Sequence, residues 1–191
     1  MKNIFSKLFI ILMLVLICIS AYNLVNKYNI IKDICDKKDK LLDIDNYSYI
    51  VDNNTKIVKK NNDIRVDSYR DNTIQYYDSE EDKLYSLNNE NMERRVFENG
   101  SEHIHVQLVG VEFINESIFV NLFTTKVSES YSEYYIITDL FEYTVDKETG
   151  LVKRIIWLDT NDVYEYSDYK FNSDVEKVVR PELEKYIDIK F

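Results

Sequence analysis

The chain has two histidines, His103 and His105, and they stand two residues apart. On a β-strand that spacing sends both side chains to one face, the arrangement a two-histidine metal pair requires. Glu98 and Glu102 lie nearby, and carboxylates beside histidines are the groups a hydrolase uses as general acid and base. No third histidine is present to complete a metal site, and nothing in the spacing fixes the distances that acid–base chemistry needs. Glu80-Glu81-Asp82 and the stretch Asp36 to Asp39 are rich in carboxylates. A calcium loop, however, alternates its oxygen donors around a glycine turn, and neither stretch does. Gly-x-Ser-x-Gly, Gly-x-Gly-x-x-Gly and Cys-x-x-Cys do not occur. The expectation is a chain that is not an enzyme and takes neither metal nor cofactor. A hydrolase working through Glu98, His103 and His105 is the distant alternative.

The aromatic residues are the stronger candidates. Phe141, Tyr143, Trp157, Tyr164, Tyr166, Tyr169 and Phe171 crowd into a short stretch that includes the only Trp of the chain. Such rings could line a hollow that takes an acyl chain or an apolar peptide, and Phe141, Tyr143, Trp157 and Tyr166 are the expected ligand-binding residues. The same rings could equally fill the space between a sheet and a helix. Residue types do not separate a filled core from a pocket.

Strands must position these rings. Phe141-Glu142-Tyr143-Thr144-Val145 alternates apolar and polar residues, the period of a half-buried strand. Asp146 to Gly150 is a turn, with Gly150 free to take the left-handed conformation that closes a short hairpin. Leu151 to Leu158 returns as a strand, Asp159 to Asp162 turns again, and Val163 to Phe171 runs out aromatic. The region Tyr134 to Asn172 thus reads as three strands.

Upstream, Tyr47–Val51, Thr55–Lys60, Ile64–Tyr69, Thr73–Tyr77 and Lys83–Leu87 are short strands separated by Asn/Asp-rich turns, the pattern of an antiparallel meander. Only three Gly and one Pro are available, so these turns must rely on Asn and Asp. Asn99-Gly100 is the strongest hairpin dipeptide and should join Arg95–Phe97 to a strand from His103 to Leu108. Asn115 to Phe123 is read as a short helix packed across the sheet. The tail from Ser173, with Pro181, either starts a helix or runs as a final extended edge.

The N-terminus carries the most specific signal. A basic start, Met1 to Lys7, precedes an unbroken apolar run from Leu8 to Ile19, which addresses the chain to a membrane. Ile4-Phe5 and Leu24-Val25 extend the run towards the ~20 residues that span a bilayer. The expectation is an uncleaved single-pass anchor over residues 1–22 with residues 23–191 outside the cell. Secretion after cleavage near Ser20-Ala21 is the alternative. Cys18 follows Ile17, which is too large for a lipidation box, and Cys35 has no partner in the domain. From Tyr22 to Leu42, Leu24, Tyr28, Ile31, Ile34 or Cys35, and Leu41-Leu42 recur at helical spacing, so a helix should lay an apolar stripe on the sheet. A formal net charge of −10 excludes nucleic acid as a partner, since binding phosphate needs clustered Lys and Arg.

Tyr143-Thr144-Val145-Asp146-Lys147-Glu148-Thr149-Gly150-Leu151-Val152-Lys153 resembles the hairpin of the LolA/LolB-like and RseB-like envelope proteins. In that superfamily a strand ending in Asp, a Thr-Gly turn and an outgoing Leu-x-x-Lys precede a tyrosine-rich strand, here Val163 to Phe171. The order of membrane signal, helix and meander is similar as well. The resemblance implies an α+β fold: a strongly curved, unclosed antiparallel sheet with packing helices, which in that superfamily carries lipid or acyl chains or senses envelope proteins. The functional Arg of the carriers and the exposed apolar loop residue of LolB are not matched to any position here, and the free carriers lack a retained anchor. The expected partners are the membrane, through the N-terminal helix, and a lipid or an envelope protein segment. The second reading is a structural or regulatory ectodomain that binds a partner through a sheet edge and has no pocket.

Overall fold

The computed structural model describes residues 2–104, 106 and 118–189. Its first element is one unbroken helix, α1 (Lys2–Leu42), followed by strands β1 (Tyr47–Val51), β2 (Thr55–Lys60), β3 (Asp63–Ser68), β4 (Thr73–Asp78), β5 (Lys83–Asn88) and β6 (Glu93–Glu98). A short helix, α2 (Ile118–Thr124), leads into β7 (Lys126–Glu129), β8 (Glu133–Ile137), β9 (Phe141–Asp146), β10 (Val152–Trp157), β11 (Val163–Phe171) and β12 (Ile187–Asp188). All twelve strands form one unclosed sheet in the order β12-β6-β5-β4-β3-β2-β1-β11-β10-β9-β8-β7. Two meanders therefore lie side by side, and they meet only where β1 pairs with β11. Every pairing is antiparallel except β12 with β6, which is parallel. The class is α+β, with a mostly antiparallel sheet.

Asn and Asp make the turns, as their scarcity of Gly partners required. Among the described residues every non-glycine with positive φ is Asn or Asp, apart from Met92. Asp146 shows how. Its carboxylate accepts from the amides of Glu148 and Thr149 and from the Thr149 hydroxyl, which holds the turn, and Gly150 closes it at φ 77°. Burial raises the pKa of Asp146, but Thr149 and the Lys153 ammonium outweigh it and hold the carboxyl below its usual range.

The helix α1 has two halves with different surroundings. From Leu8 to Val25 its large apolar side chains are exposed, and it is long and apolar enough to cross a membrane. Beyond that, Ile30, Ile31 and Ile34 are buried against Tyr134, Ile136, Tyr143, Val145 and Val152 of β8, β9 and β10. These isoleucines fall three and four residues apart, so they form one stripe. Leu24 and Tyr28, which the periodicity also assigned to the stripe, are exposed, because the helix meets the sheet only from Ile30 onward. Polar contacts fix its rotation. The Asp33 carboxylate accepts from Tyr134 Oη at 2.8 Å and Lys37 Nζ at 2.6 Å, and Lys37 also donates to the Lys147 carbonyl. Gly150 packs so close to Lys37 that a Cβ there would lie 2.6 Å from the lysine Cβ.

Elsewhere the structure departs from expectation in two places. The region Tyr134 to Asn172 holds four strands rather than three, and β7 adds a fifth just before it. Asn99-Gly100 does not make a hairpin: Asn99 is left-handed and Gly100–Glu102 form a 3-10 turn. Gly100 is needed there for close approach, since a Cβ would sit 2.4 Å from the Leu84 amide nitrogen. β12 pairs with β6 at Glu93 and Arg94, and the expected strand from His103 to Leu108 falls largely on His105, Gln107 and Leu108, which lie outside the described residues. The tail takes the extended one of its two expected courses, interrupted by 3-10 turns at Asn172–Asp174 and Leu183–Lys185. It crosses the first meander and buries Val175, Val178 and Leu183 against Val58, Tyr76, Tyr85 and Leu87. The expected short helix is present as α2, although residues 115–117 are outside the described set.

Because Ile34 is fully buried at the centre of the helix–sheet contact, Ile34→Ala should cost about 2–5 kcal/mol. Urea unfolding of the detergent-solubilised chain, followed by far-UV circular dichroism, would measure this loss. A change under 1 kcal/mol would mean that α1 does not hold the sheet in solution.

Candidate functional site

Register places all four predicted ligand-binding residues on the face of the sheet that α1 covers. Phe141 pairs with Trp157 and Tyr143 with Ile155 across β9 and β10. Tyr166 pairs with Val51 across β11 and β1. Their surroundings differ. Tyr143 is buried under the α1 isoleucines and belongs to the core. Phe141 is half-buried at the margin of that core, and its ring centroid stands 5.7 Å from Tyr143 and 5.5 Å from Trp157. Trp157 is 45% exposed. Tyr166 is half-buried and lies among a second group of rings.

That second group surrounds the seam between the meanders. Tyr49 of β1 has its ring 5.6 Å from Tyr169 and 6.3 Å from Tyr166, while Tyr47 stacks on Tyr49 at 6.2 Å. The seam is staggered. β10 pairs with β11 only over Arg154–Ile156 and Val163–Glu165, and β11 then turns its pairing to β1 from Tyr166 onward. Opposite Tyr166 to Tyr169 the strands separate, and Tyr169 Oη bridges the gap by donating to the Val152 carbonyl at 2.7 Å. Asp168, left-handed at φ 52°, marks the bulge. The opening is a groove of about 440 Å³ lined by Asn53, Leu151, Lys153, Glu165, Tyr166 and Ser167 to Tyr169. Its volume lies within the ordinary range for ligand sites, roughly 300–1,000 Å³.

Electrostatics set the groove's character. Burial, with Asp52 and Tyr164 nearby, pushes the Tyr166 phenol up to about 12. Burial, with Tyr49 and Tyr166 adding to it, drives Tyr169 further above the usual phenol range. Both phenols are therefore neutral donors at any physiological pH, set on an aromatic floor beneath a polar rim of Lys153, Glu165 and Asp168. The arrangement can hold an extended segment by ring contact and rim hydrogen bonds.

Other candidates resolve less favourably. His103 ends the 3-10 turn with its ring 5.3 Å from Phe97. His105, the other member of the acid–base set, lies outside the described residues. Among the described residues no His, Cys, Asp and Glu cluster could hold a metal ion. A larger groove, of about 610 Å³, lies between the tail and the strands β5 and β6. Its charges are matched to one another: Arg94 binds Asp188 through two nitrogens, and Arg180 reaches Asp78 at 3.2 Å and Glu81 at 3.1 Å. It reads as the fastening of the tail.

The sequence reading missed Tyr47 and Tyr49, whose alternation Tyr-Ser-Tyr-Ile-Val marked one face of β1 but gave no sign that it faced β11. Leu151 and Lys153 were placed on a strand without a role. What emerges is a membrane-competent helix docked on an open α+β sheet with an aromatic seam. No family model matches the chain, and no curated protein matches it.

The raised phenol value carries a consequence for stability. A fold that disfavours the Tyr166 phenolate keeps this contribution in full below the free value of 10.0 and loses it as pH climbs through about 12. Stability measured by urea titration at stepped pH should fall over that window. Tyr166→Phe should flatten part of the fall while leaving stability at pH 7 nearly unchanged. Identical slopes in the two proteins would show that the phenol is solvated.

Proposed function

We propose that the chain is a membrane-tethered binding module that holds an extended, partly apolar protein segment in the groove at the β10–β11 seam. One observation carries this reading: strands that should pair instead separate, leaving an aromatic floor of Tyr166 and Tyr169 beneath a polar rim. An acyl chain would be served by an apolar hollow under the helix. In that part of the face, Ile30, Ile31 and Ile34 already occupy the space over Tyr143. A protein segment suits the mixed lining better, because its amides can meet Lys153, Glu165 and Asp168 while an aromatic or aliphatic side chain rests on the rings.

In this reading the helix from Leu8 to Val25 is an uncleaved single-pass anchor and the sheet stands outside the cell. The sheet is a curved LolA-like one, its concave side carrying α1 and α2, and the bound segment belongs to an envelope protein. The competing reading, recognition through a sheet edge, has less to work with. The outer strand β7 has four residues beginning Lys126 and ending Glu129, and β12 has two. Short, charged edges discourage strand addition.

The test is peptide selection by display against the full chain held in lipid nanodiscs, with native mass spectrometry for co-purified lipid. Selected peptides should carry an aromatic or branched aliphatic anchor. Tyr166→Ala should weaken them by roughly tenfold, about 1.4 kcal/mol, whereas Glu90→Ala, in the exposed β5–β6 turn, should not. Peptides indifferent to Tyr166, or stoichiometric lipid lost on the Tyr166→Ala change, would overturn the reading.

A further inference from the structure

The end of the domain nearest the apolar helix carries an exposed apolar rim. Leu140 is 54% exposed, Trp157 45%, Leu158 38% and Phe123 of α2 70%. Leu140 and Trp157-Leu158 come from separate segments that the fold brings together, and Phe123 belongs to α2, other residues of which lie beside Leu140. The Leu158 amide donates to the Leu140 carbonyl at 2.9 Å, Trp157 packs on Phe141, and Val120, Thr124 and Leu140 flank one shallow groove.

The helix fixes where that place is. Residues 5–25 of α1 span about 30 Å at ~1.5 Å per residue, the thickness of a bilayer's hydrocarbon core. Val25 then stands at its boundary, and Lys27 lies ~3 Å beyond, within a headgroup layer roughly 5–7 Å deep. Lys27 Nζ donates to the Leu122 carbonyl at 2.6 Å and to the Thr125 carbonyl, binding the C-terminal end of α2 at that level. Phe123 sits between those two carbonyls in sequence. At the other end of the contact, ten residues further along the helix, Lys37 meets the polar turn 146–150. The apolar end of the sheet thus faces the bilayer and a charged end faces away.

We infer that the rim of Phe123, Leu140, Trp157 and Leu158 inserts into the headgroup–acyl boundary of the bilayer that α1 enters, so that the sheet lies against the membrane rather than hanging from a flexible stalk. The inference rests on the tethered reading. Trp and Leu are suited to that depth, where an amphipathic ring meets both hydrocarbon and water. Asp139, Asp159 and Asp162 in the adjoining loops are exposed. Attachment therefore comes from apolar insertion and not from attraction to anionic lipid.

Trp157 is the only tryptophan, so its fluorescence reports this rim alone. The full chain is reconstituted in phosphatidylcholine vesicles, with and without lipid brominated on acyl carbons near the headgroup, and titrated with iodide from the water side. Alkaline carbonate washing establishes separately whether the chain is membrane-embedded. Expected are a roughly twofold loss of emission with brominated lipid, little quenching by iodide, and recovery of iodide access in Leu140→Glu/Leu158→Glu, whose substitutions fall on exposed positions. A carbonate-resistant chain whose Trp157 is quenched by iodide and untouched by bromine would overturn the inference and leave the tether standing. So would a Trp157 that neither quencher reaches, because protein would then cover the rim. A chain removed by carbonate would instead overturn the tethered reading itself.

Discussion

The fold depends above all on one long-range pairing, that of β1 with β11, the other being the two-residue bridge of β12 to β6. Nearly every other pairing joins strands that follow one another along the chain, and such local hairpins form readily. Without the seam there would be two separate ribbons, each with an open edge of unpaired main-chain groups. The seam closes over a large loop: the amide of Glu165 donates to Asp52 Oδ1 at 2.7 Å, 113 residues away, and the Asp52 amide returns to the Glu165 carbonyl at 2.8 Å. Closing a loop of that length is entropically costly, so the pairing must be held by more than its hydrogen bonds. The stacked rings of Tyr47, Tyr49, Tyr169 and Phe171 supply that hold.

The same demand explains why a groove sits at the seam. β11 has to serve two partners whose strands do not lie at one register. It pairs with β10 through its first third and with β1 through the rest, and a bulge at Asp168 absorbs the mismatch. Lys153 and Tyr166 face each other across an unpaired interval as a result. A ring rather than a main-chain bond spans it, because a phenol can reach the Val152 carbonyl across a distance that an amide cannot. The aromatic content of the stretch Val163 to Phe171 is therefore needed for the joint and for the opening beside it.

What could be read from the sequence followed what is local. Strands β1 to β5 and β9 to β11 were legible because residue alternation and Asn/Asp turns are written within a few neighbouring positions. β7 was not legible: Lys126-Val127-Ser128-Glu129 is an edge strand with a single partly buried residue, so it has almost no periodic signal. β12 was hidden for another reason, since a two-residue parallel bridge to β6 leaves no pattern at all. Asn99-Gly100 showed where the backbone turns left but not that a 3-10 turn would follow. The glycine is there to lie against the Leu84 main chain. Of the four expected site residues, alternation was written in the sequence only for Phe141 and Tyr143. It could not tell that Tyr143 would be covered by Ile31 and Ile34 while Trp157 stayed exposed, because helix placement is set by α1 and not by the strands.

That placement is the point at which sheet and membrane become one problem. α1 has no break between its exposed apolar half and its buried half, so the orientation of one dictates that of the other. Ile30, Ile31 and Ile34 fix which side of the helix meets the sheet. Lys27 at the end of α2 and Lys37 at the β9–β10 turn fix how far along the strands it sits. A rod clamped at both ends of a contact cannot swivel, and a rod whose first half favours lipid cannot choose its depth freely. In the tethered reading, the sheet's height above the bilayer follows from the number of residues between Val25 and Lys27. Inserting residues there should lift the sheet by about 1.5 Å and turn it by about 100° relative to the first half of the helix for each one added, since 3.6 residues make a turn, while Ile30, Ile31 and Ile34 stay docked because they all lie beyond the insertion.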